Sequence, residues 1–164
     1  MILVAQVSDT HFDLGTRNVE RAQRVMAYLA DLRRRPDVIV VTGDITDSGK
    51  PEQYAEARSA LQADLPVLAI PGNHDERAAF REVLLGTPPL DDPVNHVHRV
   101  GGLTLILLDS SVPGQSAGRL TEQTYDWLHS TLAETPADDA VLLALHHPPV
   151  FLHSPIVDSI ALAG

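Results

Sequence analysis

Along the first half of the chain, short apolar runs rich in β-branched residues alternate with segments of helical periodicity. Ile2–Ser8, Asp37–Thr42 and Pro66–Ile70 read as buried strands. Between the first two, Asn18–Arg35 carries Val19, Ala22, Val25, Met26 and Leu29 on one helical face. Asn18 is the expected N-cap of that helix, and Pro36 ends it. Pro51–Ala63 reads as a second helix with proline at its first position. Glu76–Leu85 reads as a third, with Asp75 placed either to cap it or to orient a histidine. This alternation predicts an α/β fold whose first sheet is largely parallel. Further on, Val94–Val100 and Leu103–Leu108 flank Gly101-Gly102, a two-residue hairpin signal that adds an antiparallel pair. Thr121–Glu134 is an amphipathic helix with Tyr125, Leu128 and Leu132 on one face. Ala140–Leu145 is a last strand, and Pro155–Ala161 a short helix.

The polar residues fall where such a fold presents ligands. Asp9 and His11 follow the first strand, Asp44 the second and Asn73 the third, while His146 follows the last. Open α/β sheets bind ligands outside the carboxyl ends of their strands. Four strand ends therefore deliver carboxylate, imidazole and amide groups to one edge.

Each motif has a plain alternative on its own. Asp9-Thr10-His11 puts two side chains on the same side of an extended backbone, or is a turn aspartate beside a surface histidine. Gly43-Asp44, with Asp47 three residues on, forms a strand-end site or an ordinary turn. Asn73-His74-Asp75 follows the rigid pair Pro71-Gly72, and a purely structural role explains Asp75 well but His74 badly. In His146-His147-Pro148-Pro149 consecutive residues point apart, so at most one imidazole faces the site. His96, His98, His129 and His153 lack matching partners.

Composition narrows the chemistry. The 164 residues, 44% of them hydrophobic, are enough for one domain with a sizeable core. No apolar run reaches the roughly 18 residues of a membrane span, and Met1–Ala5 reads as strand and not as a signal peptide. The absence of cysteine excludes disulfides and thiolate metal sites, and makes a cytoplasmic location the expectation. A net charge of −10, with Lys50 the only lysine, argues against general nucleic-acid binding. An anionic substrate would need a local positive centre, from a few arginines or from metal ions.

Taken in order, Asp-x-His, Gly-Asp-x-x-Asp, Gly-Asn-His-Asp and His-His-Pro resemble the calcineurin-like metallophosphoesterases. Within that superfamily the chain is similar to the bacterial class III cyclic-nucleotide phosphodiesterases. Residues 118–132, GRLTEQTYDWLHSTL, add to the likeness. The resemblance implies one metallophosphoesterase domain over residues 1–164, an αββα sandwich. It implies two divalent metal ions, and a thiolate-free ligand set suits manganese, iron or zinc. Asp9 and His11 would bind the first ion, Asp44 would bridge both, and Asn73 and His146 would bind the second. His146 is preferred to His147 because related motifs keep the first histidine and vary the next residue. His74 would stand at the leaving group, with Asp47 orienting it or holding ligand geometry.

The implied reaction is hydrolysis of small phosphodiesters, cyclic nucleotides among them, by metal-activated water. A phosphomonoesterase or nucleotide-pyrophosphate hydrolase is the alternative on the same scaffold. A truncated metal-binding domain with little or no activity is the alternative outside it. The family's later Gly-His-x-His motif is absent, so the domain reads as C-terminally truncated, with an incomplete second sheet and an uncovered apolar face. A piece of a longer product, or a chain completed by a second copy as a homodimer, is the expectation.

Overall fold

The computed structural model describes residues 1–163 and contains two three-stranded sheets. In the first, β1 (Val4–Val7), β2 (Val38–Thr42) and β3 (Val67–Ile70) run parallel in that order. Val4 lies opposite Val38 and Ile39 opposite Val67, so the three strands end at a common edge. The crossovers contain α1 (Thr16–Asp31) and α2 (Pro51–Ala60). After β3 comes α3 (Arg77–Ala79), which runs straight into a π-helical segment, Phe80–Leu85.

In the second sheet, β4 (His96–Val100) and β5 (Leu103–Leu107) pair antiparallel. Gly101 and Gly102 join them, both at positive φ (51° and 81°), as a tight hairpin requires. The chain then passes through α4 (Glu122–Ala133) to β6 (Ala140–Ala144), which lies parallel to β5. A short α5 (Pro155–Asp158) follows.

Alternation along β2 explains the layering. Ile39 and Val41 join Phe12, Ala22, Met26, Tyr54, Ala57 and Phe80 in a core between the first sheet and its helices. Val38 and Val40 face the other way, where they pack with Ile70, Leu105 and Leu107 of the two apposed sheets. An aliphatic side chain so enclosed stabilises the fold by about 1.5–3 kcal/mol. β6 is different: Val141, Leu142 and Leu143 are 43%, 43% and 45% exposed. Successive residues of a strand point to opposite faces, so β6 is open on both sides.

Three details depart from the sequence reading. α1 begins at Thr16 after Gly15, and Asn18 does not cap it; the Asn18 amide donates to the His11 carbonyl (2.7 Å). Glu76, not Asp75, caps α3, accepting from the Ala78 and Ala79 amides. On α4 the expected apolar face is poorly covered, with Tyr125 48% and Leu132 41% exposed, and its buried residue is Thr124. The N-cap Thr121 accepts from the Thr124 amide.

Candidate metal centre

The parallel pairing of β1 and β2 continues beyond the strands and carries the first two motifs with it. The Asp9 amide donates to Gly43 O, His11 to Asp44 O and Phe12 to Ile45 O, at 2.9–3.1 Å. Asp9, His11 and Asp44 nonetheless adopt the left-handed region, with φ of 56°, 43° and 47°. The extended backbone expected across Asp9–His11 is therefore not what brings their side chains in. Such conformations cost of order 1–3 kcal/mol each for non-glycine residues, and they persist where neighbouring structure imposes them. Here the two loops impose them on each other.

The loop after β3 is held from beneath by Asp75. Its half-buried carboxylate accepts from the amides of Ile45, Thr46 and Gly72, the Thr46 hydroxyl and the Tyr54 hydroxyl, at 2.9–3.1 Å. Tyr54 in turn accepts from the Glu76 amide (2.8 Å). Burial pushes the Asp75 carboxyl up, against the pull of these donors. Burial and the neighbouring Asp75 charge push the Tyr54 phenol up as well. Asp75 thus clamps the post-β2 and post-β3 loops together. Two glycines permit the close approach: a Cβ at Gly72 would collide with the Asp44 carboxylate, and one at Gly43 with the His146 ring.

Asp44 lies at the centre, 4% exposed. Its Oδ1 accepts from the His74 amide (2.9 Å) and stands 3.5 Å from His146 Nε2. Its Oδ2 is 3.7 Å from His11 Nε2 and 3.9 Å from His74 Nε2. Ligand atoms group as Asp9, Asp44 and His146, and as His11, Asp44 and His74, so Asp44 belongs to both groups. Asn73 joins through its Oδ1, 3.3 Å from His146 Nε2. The Asp47 carboxylate stands 3.8 Å from His11 Nδ1, while its carbonyl, not its carboxylate, meets His74 Nδ1 at 2.8 Å. All seven residues singled out in the sequence therefore come together, although Asp9 groups with His146 rather than with His11.

The donor set fits a cation. His146 Nδ1 meets the Thr42 carbonyl at 2.8 Å, and a carbonyl only accepts, so Nδ1 carries a proton. In the neutral ring, the Nε2 lone pair then faces two oxygen acceptors, Asp44 Oδ1 and Asn73 Oδ1. Acceptors converging this way repel unless positive charge lies among them. The 3.5–3.7 Å separations of Asp44 from His146 and His11 are too long for good hydrogen bonds. They suit ligands sharing an ion at the usual 2.0–2.2 Å.

The protonation of His74 is tuned separately. The Asp47 carbonyl raises its pKa, with the Asp44, Asp47 and Asp75 charges adding to that and burial opposing it.

His147 faces away from the cluster, as the alternation argument requires. It is 1% exposed, with Nδ1 2.8 Å from the Ser110 hydroxyl, and burial pushes its pKa down to about 4. Sequence reasoning missed this support, and also Arg77, Asp109 and Ser111. The signal was present: Asp109-Ser110-Ser111 follows the Leu103–Leu108 run, at a strand end like the other site residues.

An α/β sandwich whose strand ends gather carboxylates, imidazoles and an amide around one buried aspartate has the architecture of a metal-assisted hydrolase. The chain belongs to the calcineurin-like phosphoesterase family, whose profile matches residues 2–160. It is 42% identical to a probable cyclic nucleotide phosphodiesterase of Rhodococcus erythropolis, over 90% of this chain and 52% of the relative. It is 38% identical to a glycerophosphodiester phosphodiesterase, GpdQ, of Enterobacter lignolyticus, over 98% of this chain and 62% of the relative. It is also 38% identical to a cAMP/cGMP dual specificity phosphodiesterase of Mycobacterium tuberculosis, over 90% and 50%. The chain thus spans between half and two thirds of the length of these relatives. No helix among the described residues is long and apolar enough to cross a membrane.

Proposed function

We propose that the chain carries the dinuclear metal centre of a phosphodiesterase acting on small phosphodiesters, cyclic nucleotides among them. The observation that carries this reading is the central place of Asp44, whose two carboxylate oxygens face His11 on one side and His146 on the other. The relatives named for cyclic nucleotides and for glycerophosphodiesters have a phosphodiester in common. Asp9, His11, Asp44, Asn73 and His146 would hold two divalent ions of manganese, iron or zinc. When bound, such ions supply positive charge for the phosphoryl oxygens and acidify the attacking water. They also explain how a chain of net charge −10 receives an anion. A cytoplasmic setting, expected from the lack of cysteine, fits a nucleotide substrate.

The protein's own part is positioning and proton transfer. Because His74 Nδ1–H donates to the Asp47 carbonyl, His74 Nε2 is the nitrogen left facing the cluster. Its raised pKa keeps the ring protonated nearer neutral pH, as donation to a departing alkoxide requires. A depression beside Asn73, walled by Glu76, Arg77 and Ser111–Gly114, gives the ester's substituent room.

The test is metal content per chain, followed by hydrolysis of bis(p-nitrophenyl) phosphate and cyclic AMP with added manganese. Two ions per chain are expected, with a loss of about 10²–10⁴ in rate for His74→Ala. Metal binding with no turnover, or turnover indifferent to His74→Ala, would favour a metal-binding domain that is not itself an enzyme.

A further inference from the structure

The two sides of the cluster that come from different sheets share one anchor. Asn73 and His74 leave the first sheet after β3, and His146 leaves the second after β6. Between them lies the segment Asp109–Ser111, which follows β5 and contributes no atom to the ligand groups.

On one side, Arg77, four residues beyond Asn73, is bound to this segment. Its Nε donates to Asp109 Oδ2 and its Nη2 to the Ser111 carbonyl, both at 2.7 Å. The Asp109 side chain is fully enclosed and also accepts from the Val94 and Ser111 amides and the Ser111 hydroxyl, at 2.6–2.9 Å. On the other side, the Ser110 hydroxyl meets His147 Nδ1 at 2.8 Å, beside His146. The His147 ring is seated so closely on Gly118 that a Cβ there would collide with it. The segment itself is fastened to the residue that leads into β4, because the Asp109 amide donates to Asn95 Oδ1 (2.9 Å). A charged pair excluded from water with every oxygen satisfied is rigid, and breaking it is expensive.

We propose that Asp109–Ser111 is a strut that, together with the Thr42 carbonyl on His146 Nδ1, sets the separation of Asn73 and His146, with Arg77 and His147 as the positioning residues at its two ends. The inference rests on the metal-centre reading, since that separation matters because the two side chains would share an ion. Groups behind metal ligands commonly change affinity by about 10–100-fold when removed.

The first measurement needs no metal. In the metal-free protein, where the Thr42 carbonyl and the strut hold His146 against the repulsion of its oxygen neighbours, the Asn73 side-chain amide and the His146 ring should show cross-relaxation by NMR, and Ser110→Ala should weaken it. The second is a calorimetric titration with Mn²⁺, in which Asn73→Ala identifies the step that depends on Asn73. Ser110→Ala should weaken that step about 10–100-fold and leave the other unchanged. If the cross-relaxation is as strong in Ser110→Ala as in the wild type, or if both steps weaken equally, the strut is refuted. Should Ser110→Ala fail to fold, Arg77→Lys keeps the charge, loses the two-pronged grip and is read the same way. A wild-type chain that takes up no Mn²⁺ refutes the metal-centre reading alone, because the metal-free contact still reports on the strut.

Discussion

The two sheets of this protein are built from similar runs of valine and leucine but stand in opposite situations. In the first, β2 is buried along its whole length, with helices on one face and the second sheet on the other. In the second, the edge strand β6 leaves three consecutive apolar residues about half exposed. The site follows the same division. The first sheet and its loops supply Asp9, His11, Asp44, Asp47, Asn73 and His74, whereas the second supplies His146 and a strut of buried polar residues. A closed half sets most of the ligand geometry, and an open half must be tied to it.

Core truncation tests this contrast most strongly. Ile39→Ala in β2 should cost about 2–5 kcal/mol, because a residue 1% exposed leaves a cavity. Leu142→Ala in β6 should cost less than about 1 kcal/mol, since much of that side chain already meets water. Denaturant midpoints of the two variants measure the gap. Equal losses would mean that β6 is as enclosed as β2.

Acid should separate the sheets next. The strands of the first contain no histidine, while β4 of the second holds His96. Burial, with the neighbouring His98 charge adding to it, lowers the His96 pKa to about 4. A folded pKa below the unfolded value favours the neutral ring in the folded state. Above pH 6.5 the group therefore contributes no pH dependence. As pH falls from 6.5 towards 4, the unfolded chain takes up the proton first and stability declines, by about 2–3 kcal/mol in all. His96→Gln should lessen the slope of that part of the stability–pH curve, leaving the share that buried His147 contributes. A parallel slope in the variant would place the acid sensitivity elsewhere.

The smallest effect concerns the clamp beneath the site. Tyr54→Phe removes the hydroxyl that donates to Asp75 and accepts from the Glu76 amide. A loss of about 1–2 kcal/mol is expected, from the partner groups left unpaired. Hydrogen exchange at the Glu76 amide should accelerate with it. Unchanged exchange would show that Asp75 needs only its backbone donors.

Much of this was legible in the chain. The strand–helix alternation, the Gly-Gly hairpin and the placing of polar residues after strands all follow from local periodicity and turn chemistry, which act over a few residues. Asn18 shows where such reasoning stops: a good capping residue was taken from its helix by the His11 carbonyl, seven positions away. Asp75 shows the same. Its carboxylate serves two loops and a tyrosine hydroxyl, and the cap passed to Glu76. The expected apolar face of α4 was visible in its spacing, but spacing cannot say how much of a face finds a partner.

The sequence by itself settled which residue types stand at the strand ends and in what order, because strands, turns and helix boundaries are local events. Only the tertiary structure decided how those residues meet. The left-handed backbone at Asp9, His11 and Asp44, the grouping around one carboxylate and the Arg77–Asp109 bridge all depend on chain segments tens of residues apart. Such contacts form because buried charges and backbone amides must find partners once water is excluded, and no local pattern states which partner that will be.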